Sequence, residues 1–248
     1  MGTGGGEFVH RTRRLLRDRG PSSLQFVGDS IMKTSQLYLA VYNFLQVLGW
    51  GYILVKTLCG LAEGKSWPEL YFSVETAVKI FQTAAILEVI HSLIGIVRSP
   101  FGTTLMQITS RVMLVWPILH TCQTASQSLG VPLLLIAWSI TEVIRYSFYA
   151  LNLFDAVPHF LIFLRYTTFI VLYPMGVTGE LLTLFGALPE VAQKKYYTLE
   201  MPNALNIGID FWWVLVIAAL TYIPGFPQLY FYMFAQRAKV LAPQKKKD

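Results

Sequence analysis

The string Tyr173-Pro174-Met175-Gly176-Val177-Thr178-Gly179-Glu180 sits inside an apolar segment running from about His159 to Leu188 and rich in Leu, Ile, Phe and Val. About 20 apolar residues cross the ~30 Å hydrocarbon core of a bilayer, so this segment reads as a membrane helix. An ionisable side chain at that depth costs at least ~2.5 kcal/mol and marks a functional site by default. Seven residues make about 700°, only ~20° short of two turns, so Tyr173 and Glu180 share a helix face, ~10.5 Å apart along its axis. Helical side chains lean towards the N-terminus, so Glu180 reaches back towards Tyr173. Pro174, Gly176 and Gly179 permit local distortion. The pair suits acid–base chemistry, one group taking a proton while the other gives one. A tyrosine at a helix interface and a glutamate paired with an arginine would account for the same two residues structurally.

Outward from this segment lie five more apolar stretches, roughly Leu37–Leu61, Val74–Val97, Thr104–Cys122, Val131–Phe154 and Phe211–Ala235. Breakers separate them: Gly64-Lys65-Ser66-Trp67-Pro68, Arg98-Ser99-Pro100-Phe101-Gly102, the run from Gln123 to Gly130, and Asp155-Ala156-Val157-Pro158. The longest loop, Pro189 to Asp210, carries Tyr196 and Tyr197 and suits the membrane interface. Within the last stretch, Ile223-Pro224-Gly225-Phe226-Pro227 removes two amide donors and is expected to kink the helix or to open a break beside a cleft.

Composition supports this. The chain of 248 residues is 54% hydrophobic and 14% charged, against about 25% charged in soluble domains, and its mean hydropathy is +0.49. The net charge of +6 gathers at the two ends, which argues for topology determinants and against nucleic acid as a partner. Arg11, Arg13, Arg14, Arg17, Arg19 and Lys33 precede the first span; Arg237, Lys239, Lys245, Lys246 and Lys247 follow the last. The loops expected on the opposite side hold Lys65, Lys194 and Lys195. An even number of spans with positive charge inside gives an all-α membrane protein, a bundle of six transmembrane helices with both termini cytosolic. Residues 1–35 are then a largely disordered cytosolic tail, 36–236 the membrane domain and 237–248 a basic cytosolic tail. The glycine- and arginine-rich beginning is not a secretory signal. Lys245-Lys246-Lys247-Asp248 fits either a dilysine signal for endoplasmic-reticulum retention or a solvated basic tail. The two cysteines, Cys59 and Cys122, exclude a disulfide framework; they are one lumenal disulfide or two small apolar residues. No zinc spacing or nucleotide-binding fingerprint occurs, so no metal is expected.

Polar residues recur at matching depths. Arg98, Arg111, Arg145 and Arg165 fall in the cytosolic third of the second to fifth spans. Glu88 shares a helix with His91, and Glu142 with Arg145. Facing guanidiniums would form a basic collar suited to phosphate oxygens; the alternative is snorkelling arginines and carboxylate pairs that hold the bundle together. The string His91-Ser92-Leu93-Ile94-Gly95-Ile96-Val97-Arg98-Ser99 is similar to a cysteine phosphatase loop. Ser92 stands at the nucleophile position, however, without the low-pKa thiolate such chemistry needs, and the string is expected in an apolar helix.

The chain resembles the very-long-chain (3R)-3-hydroxyacyl-CoA dehydratases, also called protein tyrosine phosphatase-like proteins, over about Tyr42 to Lys239. The matching strings are Gln82-Thr83-Ala84-Ala85-Ile86-Leu87-Glu88, Trp138-Ser139-Ile140-Thr141-Glu142-Val143-Ile144-Arg145-Tyr146, Leu164-Arg165-Tyr166, Tyr173 to Glu180, and Tyr222-Ile223-Pro224-Gly225-Phe226-Pro227. Met201-Pro202-Asn203 and Arg98-Ser99-Pro100 are similar to the plant-type branch. The resemblance implies a multi-pass endoplasmic-reticulum lyase that dehydrates long-chain 3-hydroxyacyl-CoA to the trans-2-enoyl-CoA during fatty acid elongation. Coenzyme A would be part of the substrate, and no separate cofactor is expected. It implies catalytic roles for Tyr173 and Glu180, membrane lipids as surroundings, and the condensing enzyme and reductases of the cycle as partners. Gly179 stands where many members have serine, leaving open any hydrogen bond that serine would supply. Reference pKa values of about 4.3 and 10 place a shared negative charge on the glutamate, making Glu180 the base and Tyr173 the acid; the reverse roles need a tyrosinate stabilised by Arg111 or Arg165. Competing readings are a catalytically silent scaffold for elongation partners and a small transporter with a carboxylate relay, the latter weakened by the lack of repeated halves.

Overall fold

The computed structural model describes residues 23–97, 99, 101–204 and 206–241, with side chains from Thr34 onward. Arg98, the tail before Ser23 and the lysines at 245–247 lie outside the described residues. The chain forms two compact units, Met1–Val41 and Tyr42–Asp248. The described part of the first is the beginning of α1 (Ser23–Ala62), a 40-residue helix. No proline interrupts the sequence between Ser23 and Ala62, so the helix starts well before Leu37, inside the stretch expected to be tail.

In the second unit, α2 (Trp67–Ala84) begins earlier than the expected Val74. Pro68 stands in its first turn, where a missing amide proton costs nothing. The Glu69 carboxylate accepts from the Ser66 backbone N–H at 3.0 Å and from its hydroxyl at 2.8 Å, closing the helix start. The sequence Trp67-Pro68 is therefore an opening turn and not a linker. After Ala85, α3 (Ile86–Leu93) carries Glu88 and His91. It ends where Gly95 adopts φ 75°, a left-handed conformation that glycine takes without steric cost.

The third expected stretch is divided between α4 (Phe101–Met113) and a π-helical segment, Leu114–His120. Pro117 lies in the wider winding, where its ring nitrogen has no N–H to donate. A short α5 (Gln123–Ser126) follows; its first turn is held by Glu190, whose Oε2 accepts from the Thr124 N–H at 2.8 Å and hydroxyl at 3.0 Å. Next come α6 (Gly130–Asn152), α7 (His159–Arg165), α8 (Phe169–Lys194) and α9 (Phe211–Leu241).

Two further boundaries differ from those expected. The segment from His159 to Leu188 is broken at Tyr166-Thr167-Thr168, where the Thr168 hydroxyl donates to the Leu164 carbonyl at 2.9 Å and competes with the helical ladder. Helix α8 then passes through Pro189 to Lys194, stabilised by a Lys194–Glu190 ion pair of 2.7 Å one turn apart. Helix α9 runs without interruption through Pro224 and Pro227. Between α8 and α9 the loop is pinned by an isolated bridge, Leu199 with Ile209.

Five helical stretches among the described residues are long and apolar enough to cross a membrane: Thr34–Ala62, Trp67–Leu93, Gly130–Asn152, Phe169–Lys194 and Phe211–Leu241. The buried core joins Trp50, Tyr71, Leu134, Trp138, Tyr146, Leu184 and Leu215. Large apolar side chains such as Val171, Ile217, Ile223 and Phe231 are left outside. An apolar exterior of this kind suits lipid as the solvent. The chain is an all-helical, multi-pass membrane protein.

Candidate active site

Tyr173 and Glu180 project from α8 towards a single row on α9. Tyr222, Phe226 and Tyr230 repeat every four residues and so line one helix face. The Tyr222 hydroxyl donates to Glu180 Oε2 at 2.6 Å. The Phe226 ring stacks on Tyr173 with centroids 5.3 Å apart and planes 5° from parallel. Tyr230 lies against the same tyrosine at 6.0 Å. Pro174 lacks the N–H that the Ile170 carbonyl would accept four residues earlier; the Tyr230 hydroxyl supplies the missing donor at 2.9 Å. The proline that permits distortion of α8 thus also creates the acceptor that fastens α9 beside Tyr173.

Helix α6 supplies the other wall. Trp138 Nε1 donates to Glu180 Oε1 at 2.8 Å, so each carboxylate oxygen accepts one hydrogen bond, both from neutral donors. Glu180 has no basic partner among the described residues. The Tyr173 hydroxyl has no hydrogen-bond partner among them either, and the side chain is half-buried.

Close approach of α6 and α8 brings Trp138 to Glu180. A Cβ at Gly179 would lie 2.6 Å from the Leu134 amide nitrogen and 2.8 Å from the Gly130 carbonyl oxygen, and one at Gly130 would lie 2.3 Å from the Gly179 carbonyl oxygen. The backbones therefore touch where both helices lack side chains, the small-residue contact used between membrane helices. The Thr183 hydroxyl, buried in this seam, donates to the Gly179 carbonyl at 2.8 Å.

The arginines are arranged differently from a common collar. Arg111 and Arg145 converge on Glu142, which is 1% exposed. Arg111 forms a hydrogen-bonded ion pair with Glu142 Oε1. Arg145 Nη2 lies 2.6 Å from Oε2 as an ion pair without hydrogen-bond alignment. Arg145 also donates to Glu88 Oε1 at 3.0 Å and to the Tyr146 hydroxyl at 2.9 Å, and Tyr146 donates to Glu88. Gln46 and Tyr42 extend the network, with Gln46 Nε2 donating to the Tyr42 hydroxyl at 3.1 Å. Arg165 stands apart on α7, its guanidinium 4.3 Å from the Phe148 ring centroid and 4.8 Å from that of Tyr149. It has no carboxylate partner among the described residues. Arg98 lies outside them.

The phosphatase-like string does not continue as a helix, because the chain turns after Leu93 at Gly95. The Ser92 hydroxyl donates to the Ser99 carbonyl at 2.8 Å, so it serves the turn. Cys59 and Cys122 are both free thiols, the first exposed and the second buried. Among the described residues, no group of three or more His, Cys, Asp or Glu side chains is placed to hold a metal ion.

Sequence reasoning missed Trp138 and Tyr222 as site residues, although both fall in strings quoted for the family resemblance. An aromatic donor on an apolar helix carries no periodic signal of its own. The available hint was that an indole N–H or phenol at bilayer depth needs an acceptor.

The model of the family described as "Protein tyrosine phosphatase-like protein, PTPLA" matches residues 82–243. A Caenorhabditis elegans protein named very-long-chain (3R)-3-hydroxyacyl-CoA dehydratase hpo-8 is 70% identical over 213 residues, covering 86% of this chain and 98% of its own length. A Mus musculus protein named very-long-chain (3R)-3-hydroxyacyl-CoA dehydratase 2 is 46% identical over 205 residues, 83% of this chain and 81% of its own. The Oryza sativa protein named very-long-chain (3R)-3-hydroxyacyl-CoA dehydratase PASTICCINO 2A is 41% identical over 220 residues, 88% of this chain and 98% of its own. No solved structure gives a significant match.

Proposed function

The chain belongs to the protein tyrosine phosphatase-like, PTPLA, family, and from that premise we propose that it is a hydro-lyase that dehydrates very-long-chain (3R)-3-hydroxyacyl-CoA to trans-2-enoyl-CoA, with Tyr173 and Glu180 as its acid–base pair. One observation carries the site assignment. Glu88 and Glu142 have arginine partners, whereas among the described residues Glu180 is met only by neutral donors and shares the α9 row with a Tyr173 hydroxyl that has no partner there. A carboxylate held by neutral donors keeps its charge available to a substrate proton, which an ion-paired one does not.

Glu180 takes the proton from C2, and that C–H electron pair becomes the second bond between C2 and C3. The C3–O bond breaks as Tyr173 gives its phenolic proton to the departing hydroxyl, which leaves as water. Proton transfer from Glu180 to the tyrosinate restores both groups. The reverse assignment would need a tyrosinate at rest, and the reference values disfavour that by about six units. The two side chains must converge on adjacent carbons despite ~10.5 Å of axial rise, so Glu180 leans towards the N-terminus of α8 in the reacting complex.

In this reading the CoA phosphates meet Arg165, whose fork has no carboxylate among the described residues; Arg111 and Arg145 are engaged by Glu142 and Glu88. The acyl chain lies between helices, in an apolar environment. The segment Phe101–His120 makes a further crossing beside the five long spans, giving six crossings and both termini in the cytosol of the endoplasmic reticulum, where elongation enzymes would be partners. The test is the purified full chain in detergent with a long-chain (3R)-3-hydroxyacyl-CoA. Glu180→Gln and Tyr173→Phe should each lose at least about 100-fold in kcat, the lower range of general acid–base catalysis. Wild-type turnover in either variant would remove that residue from the site, and an inactive wild type that binds elongation partners would favour the scaffold.

A further inference from the structure

Tyr222 and Trp138 do more than line the site. The two are held by different helices and grip opposite oxygens of one carboxylate: Tyr222 on α9 donates to Oε2 at 2.6 Å, and Trp138 on α6 donates to Oε1 at 2.8 Å. We infer that Tyr222 and Trp138 are positioning residues that fix the Glu180 carboxylate in the plane and orientation from which it takes the substrate proton, an inference that rests on the proposed role of Glu180. An indole N–H can only donate, so Oε1 is committed as an acceptor. The Tyr222 distance falls in the range of charge-assisted O–H···O⁻ bonds. A glutamate carboxylate otherwise turns about three side-chain torsions. With one donor on each oxygen it has a single orientation, and an unbonded lone pair on each oxygen remains for the substrate.

Each donor is itself anchored. Trp138 is 1% exposed, and the Arg111 guanidinium lies 5.1 Å from its ring centroid. Arg111 is in turn paired with Glu142. The buried ion pairs therefore reach the carboxylate through the indole, without placing a guanidinium against Glu180. Tyr222 belongs to the α9 row that also stacks on Tyr173 through Phe226 and Tyr230. A shift of α9 would move both halves of the acid–base pair together.

The experiment uses the full chain in detergent and separates kcat from KM on a long-chain (3R)-3-hydroxyacyl-CoA. Tyr222→Phe should lower kcat by about 10- to 100-fold, the scale of a small misplacement of a catalytic group, with KM within about twofold of wild type. Trp138→Phe should give the same split. On a Glu180→Asp background, whose shortened side chain has already left both donors, adding Tyr222→Phe should cost less than about twofold. Tyr196→Phe is the matched control: it removes a phenol donating to the Glu190 carboxylate at 3.3 Å, between other residues of the chain, and should leave kcat unchanged. Wild-type kcat in Tyr222→Phe would overturn the inference. So would an equal fold-loss on the wild-type and Glu180→Asp backgrounds, because Tyr222 would then act independently of this carboxylate. If Glu180→Gln turns over normally, the proposed catalytic role fails first; if Glu180→Gln is inactive and Tyr222→Phe is not impaired, only the positioning role fails.

Discussion

Glu142 is almost completely buried between two guanidiniums, and its removal would leave Arg111 without a carboxylate partner among the described residues, while Arg145 would keep Glu88. Breaking a buried pair from one side is destabilising by about 3–5 kcal/mol, because the remaining charge stays desolvated. Glu142→Ala should therefore lower the thermal unfolding midpoint in detergent substantially, whereas Arg165→Ala, which removes stacking on Phe148 and Tyr149 but no ion pair among the described residues, should change it little. Arg165→Ala should instead raise KM for the acyl-CoA if the guanidinium meets the phosphates. The residue types were legible in the sequence: intramembrane carboxylates and arginines stand out against an apolar background. Their partners were not. Arg111 and Glu142 are 31 residues apart, and Glu180 and Tyr222 are 42 apart, separations at which no helical periodicity links two positions. Glu180 could have been the ion-paired carboxylate and Glu142 the free one on sequence grounds alone.

At the scale of helices, the α6–α8 crossing sets how far Trp138 reaches across to Glu180. Its tightest points involve backbone atoms, which cannot rotate out of the way as a side chain can. Gly179→Ala places a methyl group 2.6 Å from the Leu134 amide nitrogen, so the helices must separate. Overpacking of this kind typically costs about 1–3 kcal/mol. The variant should show a lower unfolding midpoint together with reduced kcat, since Glu180 is the next residue. Gly225→Ala, at a glycine with nothing within 4 Å of an added Cβ, should be near neutral by both measurements. A serine at position 179 would meet the same backbone. Prolines were harder to read at this scale. Pro68 opens a helix, Pro174 creates an acceptor for Tyr230, and Pro189, Pro224 and Pro227 pass within helices. The local rule that proline breaks a helix holds for its own amide, but neighbouring donors decide whether the chain departs.

For the whole molecule, the proposed topology of six crossings with both ends in the cytosol predicts the outcome of an experiment on intact cells. Tags at the amino and carboxyl ends should be accessible to antibody after selective permeabilisation of the plasma membrane, and a tag inserted between Glu200 and Gly208 should stay protected until the endoplasmic-reticulum membrane is opened. Accessibility of the two ends on opposite sides would remove either α4 with its π-helical continuation or another stretch from the set of crossings. What the sequence by itself determined is the solvent and the class of fold: long apolar runs with few charges must be helical in lipid, where every backbone amide needs a partner within its own segment. It also singled out Tyr173 and Glu180, because spacing along one helix is a local property. The tertiary structure alone decided which carboxylate is left without an arginine among the described residues, which aromatic donors hold it, and how close two helices come at Gly130 and Gly179. These depend on contacts between segments distant in the chain, and such contacts leave no periodic trace in either segment taken singly.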